Sequence, residues 1–243
     1  MPMQAPNPQS PGHAAVDDPL GLLPRVLHRD AMMLIIDKPA GLPVHKGPGG
    51  GANLADNLGS LRFGLPRDPE LAHRLDKETS GCLVLGRHRK ALARLAELFK
   101  ANRIDKTYWA VVEGGPQTEA GTIDLAMAPR DPKRGWWMKV DPKGQPAVTR
   151  FAVLGRGGGL TWLALEPVTG RTHQLRLHCQ ASGYPILGDS IYGHAPRRGG
   201  PGLHLMARAV AIPFDPKKPA VTAAAPVPAH MQAALAACGW TAA

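Results

Sequence analysis

Short apolar and β-branched runs recur along this chain at hairpin-length gaps, and that rhythm constrains the fold more than any other feature. The runs lie at 32–36, 82–85, 106–112, 122–126, 147–154, 160–165 and 203–212. Within 106–112 the alternation puts Tyr108 on the side of Lys106 and Ala110, with Trp109 on the other. Helical patterning is sparser. Residues 88–101 set Leu92, Leu95, Leu98 and Phe99 opposite Arg89, Lys90, Arg94, Glu97 and Lys100, the period of an amphipathic helix with a basic outer face. Thr172 is a candidate N-cap for a short helix ending near Gly183, and 229–237 is a candidate last helix. Many strands, few helices and short gaps predict an α+β fold, with a mixed, largely antiparallel central sheet flanked by helices and loops. Residues 1–19 are rich in Pro, Gln, Asn and Ala without periodicity, which predicts a disordered tail and a single folded domain over 20–243.

Charge narrows the partners. The chain has 29 Lys+Arg against 19 Asp+Glu, a formal net charge of +10, and a sequence pI near 9.9. Arg87, Arg89, Lys90, Arg94, Lys100, Arg103 and Lys106 crowd one short stretch, which favours a polyanion such as nucleic acid over a generic solvated surface. Cys82, Cys179 and Cys238 are odd in number and far apart, so they form neither a disulfide framework nor a zinc site and fit a reducing cytoplasm. No stretch approaches the roughly 20 apolar residues of a membrane-spanning helix, and the N-terminus lacks the order of a signal peptide.

Two stretches carry the chemistry. His73-Arg74-Leu75-Asp76-Lys77-Glu78-Thr79-Ser80-Gly81 sets an acid between bases and closes on turn-forming residues. Gly170-Arg171-Thr172-His173-Gln174-Leu175-Arg176-Leu177-His178 follows about ninety residues later. Taken alone, Asp76 reads equally as a salt-bridged surface acid. A kinase catalytic loop is excluded, because the aspartate is displaced by one residue and no nucleotide loop or Asp-Phe-Gly accompanies it. Gly47-Pro48-Gly49-Gly50-Gly51 lacks the Lys-Ser/Thr ending of a phosphate loop. His173 and His178, five apart, do not share a helix face as metal ligands four apart do, so no metal is expected.

Asp37-Lys38-Pro39-Ala40-Gly41, His73 to Gly81, Lys106-Thr107-Tyr108, Gly144 to Phe151, Gly170 to His178 and Pro185-Ile186-Leu187-Gly188-Asp189 with Tyr192-Gly193 stand in one order. In order and spacing the chain resembles the RluA-type RNA pseudouridine synthases from Leu34 to Phe214. The resemblance implies isomerisation of uridine in structured ribosomal or transfer RNA, without cofactor, by a stand-alone, monomeric, cytoplasmic catalytic domain. It implies that Asp76 is the reacting carboxylate, acting on the sugar as nucleophile or base. Arg176 would pair with it, Tyr108 would stack on the base and help move the C5 proton as a further catalytic residue, and Arg74 would fill the gap left by the flipped nucleotide. His73, Lys106, Arg171, Thr172 and His173 are further RNA-contact candidates, with Thr172 and His173 also shaping their motif.

Full burial would leave the carboxyl of Asp76 protonated and inert, so the pocket should be only partly desolvated, or hold further donors beside Arg176. Arginine suits the pairing because its planar fork grips a carboxylate with two parallel hydrogen bonds. Arg130, Lys133, Arg134, Trp136, Trp137 and Lys139 form a basic, aromatic loop that reads equally as an RNA grip or a packed hairpin tip. Asp189, after Gly188, reads as a turn or cap residue. Met206 stands where relatives carry histidine, and is expected in the pocket wall. A rival reading is a non-catalytic RNA-binding or ribosome-assembly factor that retains the fold.

Overall fold

The computed structural model describes residues 17–47, 50–131 and 137–242. In chain order its strands begin with β1 (Val26–Arg29), β2 (Met33–Lys38), β3 (Glu70–Leu71) and β4 (Ser80–Gly86). Helix α1 (Arg89–Lys100) leads to β5 (Asp105–Glu113), β6 (Ala120–Asp124), β7 (Met127–Pro129), β8 (Met138–Val140), β9 (Val148–Gly157) and β10 (Leu160–Pro167). Then come α2 (Gln174–Ala181), β11 (Leu205–Ile212), β12 (Val221–Ala224) and α3 (Ala229–Ala237).

The main sheet runs β1-β2-β4-β11-β5-β10-β9-β6, with β3 beside β4, β12 beside β11, and β7–β8 as a separate hairpin. Among the described strands the pairings are antiparallel except β4–β11, where Met206 stands opposite Ser80 in parallel register. Met206 also faces Trp109 of β5. A strand from late in the chain therefore joins two earlier ribbons. That position matters for the site, because β4 follows the Asp76 turn and β5 carries Tyr108.

Local sequence explains the elements. Met33, Leu34, Ile35 and Ile36 are all 0% exposed, as an unbroken apolar run covered on both faces requires. The β9–β10 hairpin turns through Gly158 and Gly159 at φ +59 and +76, which suits a tight two-residue turn. In α1 the ring of His88 caps the helix by accepting the Ala91 N–H at 3.2 Å, and Leu95 and Leu98 face the core. Trp109 packs edge-on against Trp162 in the large core cluster, opposite in sense to Tyr108, which lines a cavity.

Several expectations need correction. Thr172 is not the N-cap of α2. His173 holds that place in a left-handed conformation, φ 55, with no side-chain cap. Gln174 serves the first turn instead, its Oε1 accepting the Arg171 N–H and the Thr169 hydroxyl. Strand β6 stops at Asp124, so Leu125 and Ala126 fall outside it. Met206 is not in the pocket wall, because its side chain is buried in the core cluster. Its neighbour Leu205 lines the cavity. Strands β1, β3, β7, β8 and β12 were not foreseen. They are short, and at most of their positions they are only half-buried or exposed, so they leave little alternation to read.

Candidate active site

A cavity of about 510 Å³ opens where the Asp76 turn, β5 and the start of α2 meet. It is lined by His73, Arg74, Asp76, Lys106, Tyr108, Arg171, Thr172, His173 and Arg176, with Phe99, Lys100, Asn102 and Leu205 among their neighbours. Residues about a hundred positions apart in sequence thus share one pocket.

The Asp76 turn is held from beneath. Thr79 N–H donates to the Asp76 carbonyl at 3.1 Å, and Gly41 N–H to the Lys77 carbonyl at 2.9 Å. Lys38 is 0% exposed. Its Nζ donates to the carbonyls of Pro39 and Leu42 at 2.8 Å and of Lys77 at 3.0 Å. Burial pushes this amine down to about 8, with Glu78, Asp76 and Asp37 opposing the fall. Three carbonyls use all its donors, so β2 and the Asp76 turn move as one piece. Sequence reading saw only a strand entering a turn here.

The Asp76 side chain keeps 19% of its exposure, and Arg176 keeps 4%, with Nη1 3.8 Å from Asp76 Oδ2. The pocket is partly desolvated, as expected. The bidentate grip expected on Asp76 goes elsewhere. Arg176 Nε and Nη2 donate to Asp189 Oδ2 and Oδ1 at 2.8 and 2.7 Å. Asp189 Oδ1 also accepts the N–H groups of Ile191 and Tyr192. Burial disfavours both charges, yet their mutual hydrogen bonds win: Arg176 is held above and Asp189 below its ordinary pKa. The missed signal was a lone acid after Gly188, whose buried partner lies across a loop.

On the opposite wall, burial and then the charge of Asp76 push Tyr108 above the usual phenol range, so it stays a neutral ring. Lys106 is lowered by burial, with Asp105 opposing. Arg74 is exposed at the rim, as is Arg171, whose Nε donates to the Pro146 carbonyl at 3.1 Å. His73, an RNA-contact candidate, lines the cavity and also has a structural task. It stacks on Phe99 with centroids 4.4 Å apart, and its Nε2 accepts the Val84 N–H at 3.0 Å. Burial, then the Lys106 charge, depress it to about 3, leaving a neutral ring unsuited to holding phosphate by charge.

His173 places Nε2 3.8 Å from Asp76 Oδ2 and Nδ1 3.0 Å from the Tyr192 hydroxyl. Burial lowers its pKa, with Asp76 opposing. Beneath it a closed polar chain fixes α2. Gln174 Nε2 donates to Val148 O and Thr149 Oγ1. The Thr149 hydroxyl meets His178 Nδ1 at 2.9 Å, and His178 Nε2 donates to Leu125 O at 3.1 Å. His178 is thereby engaged in structure, and no group of three or more His, Cys, Asp or Glu able to hold a metal occurs among the described residues. Arg134 lies outside the described residues, with Lys133 and Trp136. The flanking Arg130 stacks its guanidinium on Trp137 at 4.4 Å. No described helix is long and apolar enough to cross a membrane.

Comparisons with known proteins agree with this geometry. The family model described as RNA pseudouridylate synthase matches residues 32–181. An uncharacterized RNA pseudouridine synthase of Zymomonas mobilis subsp. mobilis is 44% identical over 209 residues, 85% of this chain and 95% of that protein. Ribosomal large subunit pseudouridine synthase C of Haemophilus ducreyi is 37% identical over 169 residues, which are 69% of this chain and 52% of that protein. This chain thus spans about half the length of that relative. Among solved structures, human RNA Pseudouridylate Synthase Domain Containing 4 aligns with a TM-score of 0.75 and 28% identity, over 89% of this chain and 94% of that one. The α+β architecture is therefore the pseudouridine synthase fold. With its strand order, its cavity and its sequence all leading to one place, the chain belongs to the RNA pseudouridylate synthase family, and its activity is that of an isomerase acting on RNA.

Proposed function

We propose that the protein converts uridine to pseudouridine in structured ribosomal or transfer RNA, with Asp76 as the reacting carboxylate, in the cytoplasm and as a monomer. The observation that carries this reading is the convergence of Asp76, Arg176 and Tyr108 on one partly open cavity. The ribosomal large subunit synthases among the relatives favour ribosomal RNA. The N1–C1′ bond breaks, the uracil turns, C5 bonds to C1′, the C5 proton leaves and N1 takes up a proton. Atoms balance within the substrate and a proton, so the reaction calls for no redox partner.

A stacked uridine cannot reach the cavity floor, so it is flipped out at a cost of a few kcal/mol. Stacking on Tyr108 returns about 1–3 kcal/mol, and Arg74, exposed at the cavity, would enter the vacated stack. Asp76 acts on the sugar as nucleophile or base, with Arg176 stabilising its charge.

The test is pseudouridine mapping across total RNA from a strain lacking the gene and from its parent. One or more sites should vanish, return with the wild-type gene and stay absent with Asp76→Asn. An unchanged map, with purified protein that binds the RNA pool but converts nothing, would favour the non-catalytic assembly factor.

A further inference from the structure

We infer that Tyr192 and His173 form a positioning pair that dictates which oxygen of Asp76 is held and which reacts. The inference rests on Asp76 as the reacting group. The Tyr192 hydroxyl accepts the Met138 N–H at 3.0 Å and lies 3.0 Å from His173 Nδ1. A phenol has one proton to give. With Met138 donating to its oxygen, the hydroxyl satisfies both groups by donating to Nδ1, and the imidazole proton then resides on Nε2. The hydrogen bond at one ring nitrogen sets the tautomer at the other.

That Nε2 faces Asp76 Oδ2 at 3.8 Å. Arg176 Nη1 stands at the same distance from the same oxygen. Two donors therefore flank Oδ2 and leave Oδ1 to the substrate. Both distances exceed a hydrogen bond, as catalytic contacts commonly do before substrate tightens them. The backbone supports a dedicated role, since a non-glycine residue at φ 55 is uncommon and such strain gathers at functional positions. The ring is also too enclosed to reach for phosphate, with its side chain 10% exposed. Burial keeps it neutral, so it can donate to the carboxylate without passing it a proton. Tyr192 serves Arg176 as well, its ring lying 5.5 Å beneath the guanidinium. The single hydroxyl can thus be removed while that stacking stays.

The experiment uses the full chain and total RNA labelled with 5-tritiated uridine, taken from cells lacking the enzyme. Tritium release gives the single-turnover rate, filter binding gives the Kd, and thermal melting reports folding. His173→Leu should slow release about 100-fold, in the range seen for deleting one preorganised donor, with Kd within about threefold. His173→Gln, whose amide N–H reaches toward the Nε2 position, should recover about tenfold of that loss. Tyr192→Phe should slow release about tenfold, yet add nothing to His173→Leu, because it acts through that ring.

Additive losses would overturn the proposal, and so would wild-type rates in the single variants. A loss confined to Kd or melting would do the same. Should His173→Leu not fold, Tyr192→Phe is placed on His173→Gln instead, where it should change nothing, since an amide has no tautomer to set. Asp76→Asn separates the two readings. If it is inert while the His173 variants match wild type, only the positioning pair falls; if it is active, the assignment of Asp76 falls with it.

Discussion

Arg176 gives two nitrogens to Asp189, at 2.8 and 2.7 Å, and turns only Nη1 toward Asp76, 3.8 Å away. The arginine is clamped from behind and offers one edge to the reacting carboxylate. Its grip on Asp189 keeps it charged in a buried setting, so its contact with Asp76 need not bear that burden.

Asp189→Ala should be among the most damaging single changes. It leaves the Arg176 guanidinium buried without its partner, and breaking such a pair costs about 3–5 kcal/mol. Urea unfolding should show that loss, with isomerisation falling alongside it. Asp189→Asn should lie between the two, because its amide oxygen still accepts one of the bonds.

Asp76→Asn should abolish conversion while RNA affinity stays within a few-fold. The shape is kept and the reacting charge is lost, so a tritium-release assay and filter binding should part company.

Gly81→Ala should impair folding itself. Gly81 sits at φ +102, and a Cβ built there collides with the backbone carbonyl of Ala207 on β11. Strained φ costs about 1–3 kcal/mol and forced overpacking about as much again. Melting should fall steeply, and the variant should accumulate as insoluble chain.

Stability should decline as pH falls below about 6.5. His73 is depressed to about 3, chiefly by burial, and His173, His178 and His204 are lowered in the same direction. From pH 6.5 downward the unfolded chain takes up protons that the folded one refuses, so unfolding gains, for His73 by up to roughly 1.4 kcal/mol per pH unit. Below about pH 4, Asp189, whose folded pKa is lowered, adds a further loss. His73→Phe should flatten the first slope in urea titrations. It should also cost about 1–3 kcal/mol at neutral pH, because the Val84 N–H loses its acceptor.

RNA affinity should fall steeply with salt. Arg74, Lys100, Arg103 and Arg171 are exposed on or beside the cavity rim. Four phosphate contacts of this kind would weaken binding about 100-fold between 50 and 200 mM salt. Each replacement by alanine should lower the log–log slope by about one.

Much of this site was legible in the sequence because Asp76, Tyr108 and Arg176 lie in strongly patterned stretches. The strand at 106–112 alternates cleanly, so the opposed directions of Tyr108 and Trp109 could be read before any coordinates. What escaped was long-range pairing. Nothing local to Asp189 shows that an arginine 13 residues away takes its carboxylate. Nothing near Lys38 says that it ends among carbonyls, one of them 39 residues on. Nothing near His73 shows that its ring accepts a strand N–H, and Thr172 reads as a cap because its type favours that role. Tertiary packing gave one ring to Val84 and the N-cap position to His173.

Strand β11 lies between β4 and β5 in space, although it is made about a hundred residues after them. During synthesis the Asp76 turn and Tyr108 therefore leave the ribosome long before anything fixes the span between them. Pairings so remote in sequence form slowly, and the nascent chain meanwhile has an open edge on each ribbon where β11 will later insert. A chain cut short before residue 205 would carry every proposed reacting residue without the strand that fixes their spacing, so the site can assemble only after β11 has been made.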